Sequence, residues 1–176
     1  VSRRADPRIP SVLTFGKLLA EGATNVIPPL ARMEGTFRTF DEAWRSEAHR
    51  LIRQTVEGIA QAMDARAELD IRVGYPSLTN DPALADALRP AVLAYVGADR
   101  VVDLDLWMAA EDFAWYTQEI PGHFYRLGTR NEGRGIVHGL HTPQFDIDED
   151  ALRTAPGLMA WLALHTLAQW ADGSYS

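Results

Sequence analysis

The sequence predicts a mixed α/β (α+β) chain, with a small antiparallel sheet under one long helix and then a segment in which helices and short strands alternate. Three observations lead there. Apolar and polar residues alternate at period two over 30–40 and again over 68–75 (ELDIRVGY), the pattern of half-buried strands. Between them, Trp44, Ala48, Leu51, Ile52, Thr55, Val56, Ile59 and Met63 recur at helical spacing. From Pro76 onward the composition changes, and the order helix, strand, helix, strand, loop, helix suggests an α/β layer.

Taken in order, Ser11–Phe15 (SVLTF) reads as a short β-rich run. Gly16, Gly22 and Asn25 punctuate a turn-like stretch, and Val26-Ile27 opens a second extended run. Asp41 is placed to cap the 41–64 helix, with Glu42 in its first turn and His49 on its polar, solvated side. Asp81 and Pro82 form a cap and first-position pair for a helix carrying Leu84, Leu88, Ala91, Val92 and Tyr95. Pro90 is expected to kink or split that helix, since it removes an N–H and clashes with the preceding turn. Short strands are predicted at 100–104 and 124–127, with a short helix at 111–119 stopped by Pro121-Gly122. Residues 128–144 form a Gly-rich loop, and 148–170 a long helix disturbed at Pro156-Gly157.

Charge and composition exclude several functions. The 176 residues carry a net charge of -7 with no basic patch interleaved with aromatics, so no nucleic-acid partner is expected. With no cysteine there can be no disulfide, Cys nucleophile or thiolate ligand within the chain. The most apolar stretch, 158–164, falls far short of the ~20 residues that span a bilayer, so no membrane partner is expected. VSRRADPRIP lacks a signal-peptide core, which makes cytoplasm the expected compartment, and the start at Val1 suggests an excised piece. A globule of this length should bury roughly 70% of its unfolded surface. Elbow, P-loop, dinucleotide and H-E-x-x-H motifs are all missing.

The chemistry-bearing residues are few. His138 and His141 would share a face only on a helix, which Gly139 and Pro143 oppose. His141 has the better case as a ligand, because Thr142-Pro143 stiffens its backbone in a loop that ends at a helix. Asp146, Asp148, Glu149 and Asp150 stand where a helix N-terminus favours negative charge, and capping accounts for them. Glu111-Asp112 also opens a helix, but among Met108, Phe113, Trp115 and Tyr116, where a carboxylate must be paired or have a raised pKa. His123 can be read as a turn residue and His165 as structural. A catalytic zinc site needs about three protein ligands plus water, and this chain offers one convincing candidate.

Several strings together carry a family likeness. Glu111–Tyr116 (EDFAWY), Ile120-Pro121-Gly122, 124–128 and Leu140–Glu149 (LHTPQFDIDE) resemble the C-terminal part of the metal-dependent N-acyl-amino-acid amidohydrolases, the hippurate hydrolase and aminoacylase branch of the zinc-carboxypeptidase-like enzymes. Asn25–Pro28 and Gly35–Phe40 are similar to that branch's inserted lid (dimerisation) domain, while Gly74-Tyr75-Pro76 and Asn80-Asp81 match the return to the catalytic domain. The resemblance implies an incomplete lid over 1–76, then the C-terminal part of an α/β catalytic domain over 77–176. It also implies a di-metal centre, zinc or manganese, that activates a bridging water against the amide of a small N-acyl amino acid, with a glutamate as general base. By position, His141 matches a metal ligand, Asn25 and Arg38 lie in motifs near the substrate, and Glu111 and Asp112 lie close to the active site. A homodimer through the lid is implied as well.

The family's other metal ligands, its catalytic glutamate and the start of the lid have no counterpart in these 176 residues. The chain alone is therefore expected to be inactive. Asp64 stands where the family favours a left-handed helix cap by glycine. The alternative expectation is a non-catalytic dimerisation or interaction module, pairing through a strand edge left open.

Overall fold

The computed structural model describes residues 4–171. The chain forms two compact units, one of residues up to Leu78 together with Leu106–Trp115, the other of Thr79–Asp105 together with the residues from Tyr116 onward.

In the first unit, β1 (Ser11–Leu19) and β2 (Arg32–Thr39) pair antiparallel, from Ser11 opposite Thr39 to Leu19 opposite Arg32, with a bulge between Phe15 and Lys17. Gly35 is required by this register. A Cβ there would lie 2.4 Å from the Thr14 carbonyl oxygen and 2.7 Å from the Phe15 ring. Helix α1 (Glu42–Ala62) starts where the sequence places it, with the Asp41 carboxylate accepting the Trp44 N–H at 2.7 Å. It buries Trp44, Ala48 and Leu51, and Phe37 of β2 meets Trp44 edge-on at 6.4 Å. The helix ends in a left-handed turn, with Asp64 at φ 54° and the Ala65 N–H donating to the Ala60 carbonyl at 2.9 Å.

The second unit is built on α2 (Pro82–Val96) and α4 (Ala151–Ala171), with a one-turn helix α3 (Tyr116–Glu119). Leu84, Leu88 and Ala91 of α2 pack against Leu158 and Leu162 of α4. Trp161 Nε1 donates to the Ala91 carbonyl at 3.0 Å. The Tyr95 hydroxyl sits 2.0 Å from where a Cβ on Gly157 would be, so the glycine admits the tyrosine between the helices.

The α/β class holds, but several elements depart from expectation. Residues 68–75, 101–104 and 124–127 do not form strands. Alternation shows that a segment can pleat, but a strand needs a partner's N–H and C=O groups. Pro90 and Pro156 both lie inside helices that run on through them, so neither splits its helix. Pro90 is flanked by the buried Leu88 and Ala91, whose packing on α4 outweighs the lost hydrogen bond. His49 is half-buried rather than solvated, its ring 6.2 Å from Phe37.

Many large apolar side chains stay open to solvent. Leu30, Val102, Leu106, Leu164 and Leu167 are each more than 60% exposed.

Candidate functional site

The candidate residues fall in both units. His141 belongs to the second, in a loop that doubles back on itself. The loop's base is closed by the Asp148 N–H donating to the Thr129 carbonyl at 2.9 Å and by Asn131 and Ile136 exchanging two backbone hydrogen bonds at 2.9 Å. Beyond it, Thr142 Oγ1 donates to the Gly139 carbonyl at 2.9 Å and the Phe145 N–H to the Thr142 carbonyl at 3.1 Å. His141 sits within this turn at φ 66°, a left-handed conformation that only glycine adopts without cost, and its side chain is exposed. His138 is exposed too, and no helix joins the two rings.

Asp148 departs from a simple capping role. One carboxylate oxygen accepts Asn131 Nδ2 at 2.5 Å; the other accepts Arg134 Nη1 at 2.6 Å and the Asp150 N–H at 3.2 Å. These bonds, the one from Asn131 first, then the Asp150 N–H and Arg134, hold its carboxyl below the usual aspartate value of 3.8. Asn131 also accepts the Arg134 N–H at 3.2 Å, which shapes the 3-10 turn at Glu132–Arg134. Asn131 and Arg134 escape sequence reasoning because their partner lies 14 to 17 positions away. The signal was the run of Asn131, Gly133 and Gly135, a turn composition.

Asn25, Arg38, Glu111 and Asp112 belong to the first unit. Asn25 is exposed in a tight turn closed by Ala23 and Val26, whose N–H groups donate to each other's carbonyls at 3.4 and 3.1 Å. Arg38 projects from β2, and its Nη1 donates to the Met108 carbonyl at 2.6 Å. That bond ties β2 to the segment leading into Glu111 and Asp112. Glu111 is half-buried, with Oε1 accepting the Phe113 N–H at 3.4 Å, and Asp112 is exposed. Glu111 thus meets the backbone of its own turn.

Elsewhere in the second unit, the Asn80 side chain forms a two-point clasp on Phe124, donating to its carbonyl at 2.9 Å and accepting its N–H at 2.8 Å. A shallow cavity of about 360 Å³ lined by Asn80, Asp81, Thr117 and Pro121 includes none of the five candidates. His123 stacks on Tyr125 at 6.4 Å with Nδ1 buried and lacking a hydrogen-bond partner. Burial lowers the His123 pKa and raises that of Tyr125. His165 packs on Trp161, with Nδ1 3.1 Å from the Trp161 carbonyl oxygen, in keeping with a structural role.

A metal centre needs several donor side chains brought together. Among the described residues no group of three or more His, Cys, Asp or Glu side chains could hold a metal ion. These residues do not build such a centre by themselves, and His141 supplies a single imidazole. No helix among the described residues is long and apolar enough to cross a membrane.

Comparison with known proteins places this arrangement. The chain belongs to peptidase family M20/M25/M40, whose model matches residues 7–165. It is 36% identical over 152 residues to the N-acetyl-L-cysteine deacetylase of Bacillus subtilis, covering 86% of this chain and 35% of that protein. It is 32% identical over 164 residues to thermostable carboxypeptidase 1 of Saccharolobus solfataricus, covering 93% of this chain and 41% of the relative. Among solved structures, the YxeP protein of Bacillus subtilis, described as a dinuclear metal binding peptidase from the M20 family, superposes with a TM-score of 0.74 at 35% identity, over 90% of this chain and 42% of that one. The chain thus spans well under half the length of these relatives.

Proposed function

We propose that this chain is the C-terminal part of a metal-dependent amidohydrolase that cleaves the amide bond of small N-acyl amino acids, and that it hydrolyses nothing unless joined to the polypeptide carrying the remaining ligands. The observation that carries the reading is His141, an exposed imidazole in the family-matched segment that belongs to no group of three or more potential ligands among the described residues. On this reading residues 1–76 are an incomplete lid and 77–176 belong to the catalytic domain. His141 is one metal ligand of a dinuclear zinc or manganese centre.

Asn25 and Arg38 are assigned to substrate binding. Arg38 has five N–H donors and spends one on Met108, which leaves the rest for a substrate carboxylate. Glu111 and Asp112 stand near the active site without acting as ligands. The cytoplasm is the assigned compartment, and the net charge of -7 argues against a nucleic-acid partner.

The test is hydrolysis of an N-acyl amino acid with Mn²⁺ or Zn²⁺, by this chain and by the longer protein. Turnover only by the longer protein supports the reading; robust turnover by this chain refutes the incompleteness.

A second reading has its own observation. Among the described residues the sheet of the first unit pairs two strands, β1 and β2, and Val12, Leu18 and Met33 are exposed on it. This suits a homodimer through the lid, or an interaction module without catalysis. Light scattering after size exclusion tests it, and a strict monomer at high concentration rules it out.

A further inference from the structure

We propose that Asp148 is a positioning residue, its carboxylate locking the base of the 131–148 loop so that the loop presents His141 in a fixed turn. The relevance to catalysis rests on the reading of His141 given above, while the lock itself is argued from geometry alone.

Three features point to it. The carboxylate is spent on three donors, Asn131 Nδ2, Arg134 Nη1 and the Asp150 N–H, which engage both of its oxygens. Asn131 and Arg134 stand at the start of the loop and Asp148 at its end, so the bonds join the ends and leave His138 and His141 between them. The Asp148 side chain is 15% exposed, whereas that of Arg134 is 56% exposed, so the carboxylate is the sheltered hub and the guanidinium its outer cover. A left-handed non-glycine residue persists only where its surroundings over-determine it, and His141 at φ 66° is flanked by no core of its own. The closed base is what supplies that constraint.

The experiment compares Asp148→Asn, Asn131→Asp, the reciprocal double exchange, and the parent sequence. Asp148→Asn keeps the shape but removes the charge facing Arg134. Asn131→Asp alone sets two carboxylates against each other. The double exchange restores one amide facing one carboxylate. The first readout is amide hydrogen exchange in the 176-residue chain. Each single variant should speed exchange at Ile136 and Phe145 by about tenfold or more, leave α2 unchanged, and recover most of the protection in the double exchange.

The second readout is the longer protein with an N-acyl amino acid. Asp148→Asn should lower kcat about tenfold with KM within about twofold, since it displaces a group without removing a substrate contact. Unchanged exchange at Ile136 and Phe145, or an equal rise across α2, overturns the lock. Unchanged kcat in a loosened loop overturns the positioning role. If His141→Ala keeps full turnover while Asp148→Asn still loosens the loop, the lock stands and the functional reading of His141 fails.

Discussion

Truncating Leu158 to alanine tests whether the second unit rests on the α2–α4 contact. Leu158 is 3% exposed and packs among Leu84, Leu88, Ala91 and Leu162. The change removes three carbons' worth of apolar burial, which at ~0.8 kcal/mol per methylene is about 2.4 kcal/mol. A cavity adds to this, and leucine-to-alanine changes in cores run from about 2 to 5 kcal/mol. The lower half of that range is expected, because a core of five buried residues under open neighbours can settle inward. A loss of about 3 kcal/mol is therefore predicted, a factor of about 150 in the folding equilibrium. Leu164 on the same helix is 63% exposed, and its truncation should stay within about 0.5 kcal/mol. Urea unfolding followed by amide exchange in α2 reads both variants. Equal losses from Leu158→Ala and Leu164→Ala would refute the assignment of the core.

Three other outcomes are expected. Gly35→Ala forces a Cβ against the Thr14 carbonyl and should destabilise the hairpin by about 1–3 kcal/mol, seen as faster amide exchange in β1 and β2. Asp64→Gly relieves a left-handed residue at the end of α1 and should stabilise by about 1 kcal/mol, read as a raised urea midpoint. The rings of His49 and His123 have pKa values below the usual 6.5, through burial first, with Arg45 adding to it and Glu42 opposing at His49. A histidine with a lowered folded pKa binds protons more readily when unfolded. Its contribution is complete above about pH 6.5 and is lost as pH falls toward the folded value. The urea midpoint should therefore fall on acidification through that window, and less so in His123→Phe. A rising midpoint contradicts this.

Local chemistry was legible where one segment decides its own structure. Asp41 and Asp81 cap the helices they precede in sequence, each accepting an N–H three residues on. Asp64 takes the left-handed position at which the family resemblance, rather than the local pattern, leads one to expect a glycine cap. What stayed hidden depends on partners far along the chain. The alternation at 68–75 shows a segment able to pleat but not what would pair with it. Pro90 breaks an isolated helix by the rule, yet Leu88 and Ala91 pack on Leu158 and Leu162, which the local pattern does not contain. At the candidate site, the motif around His141 was readable, but the Asn131–Asp148–Arg134 closure was not, because it joins residues up to 17 positions apart. The acidic run 146–150 illustrates the difference. Counting charges suggested capping, and the Asp148 carboxylate does accept the Asp150 N–H just ahead of α4, but it also binds Asn131 and Arg134 of the loop.

The proposed division of the metal centre between this chain and a missing stretch is tested most directly by metal content. Each protein would be equilibrated with Mn²⁺ or Zn²⁺, desalted and assayed by mass spectrometry. The account predicts no stoichiometric metal on these 176 residues, and bound metal on the longer protein that falls when His141 is replaced by alanine. One tightly held equivalent on this chain alone, or full metal retention by the His141→Ala longer protein, would contradict it.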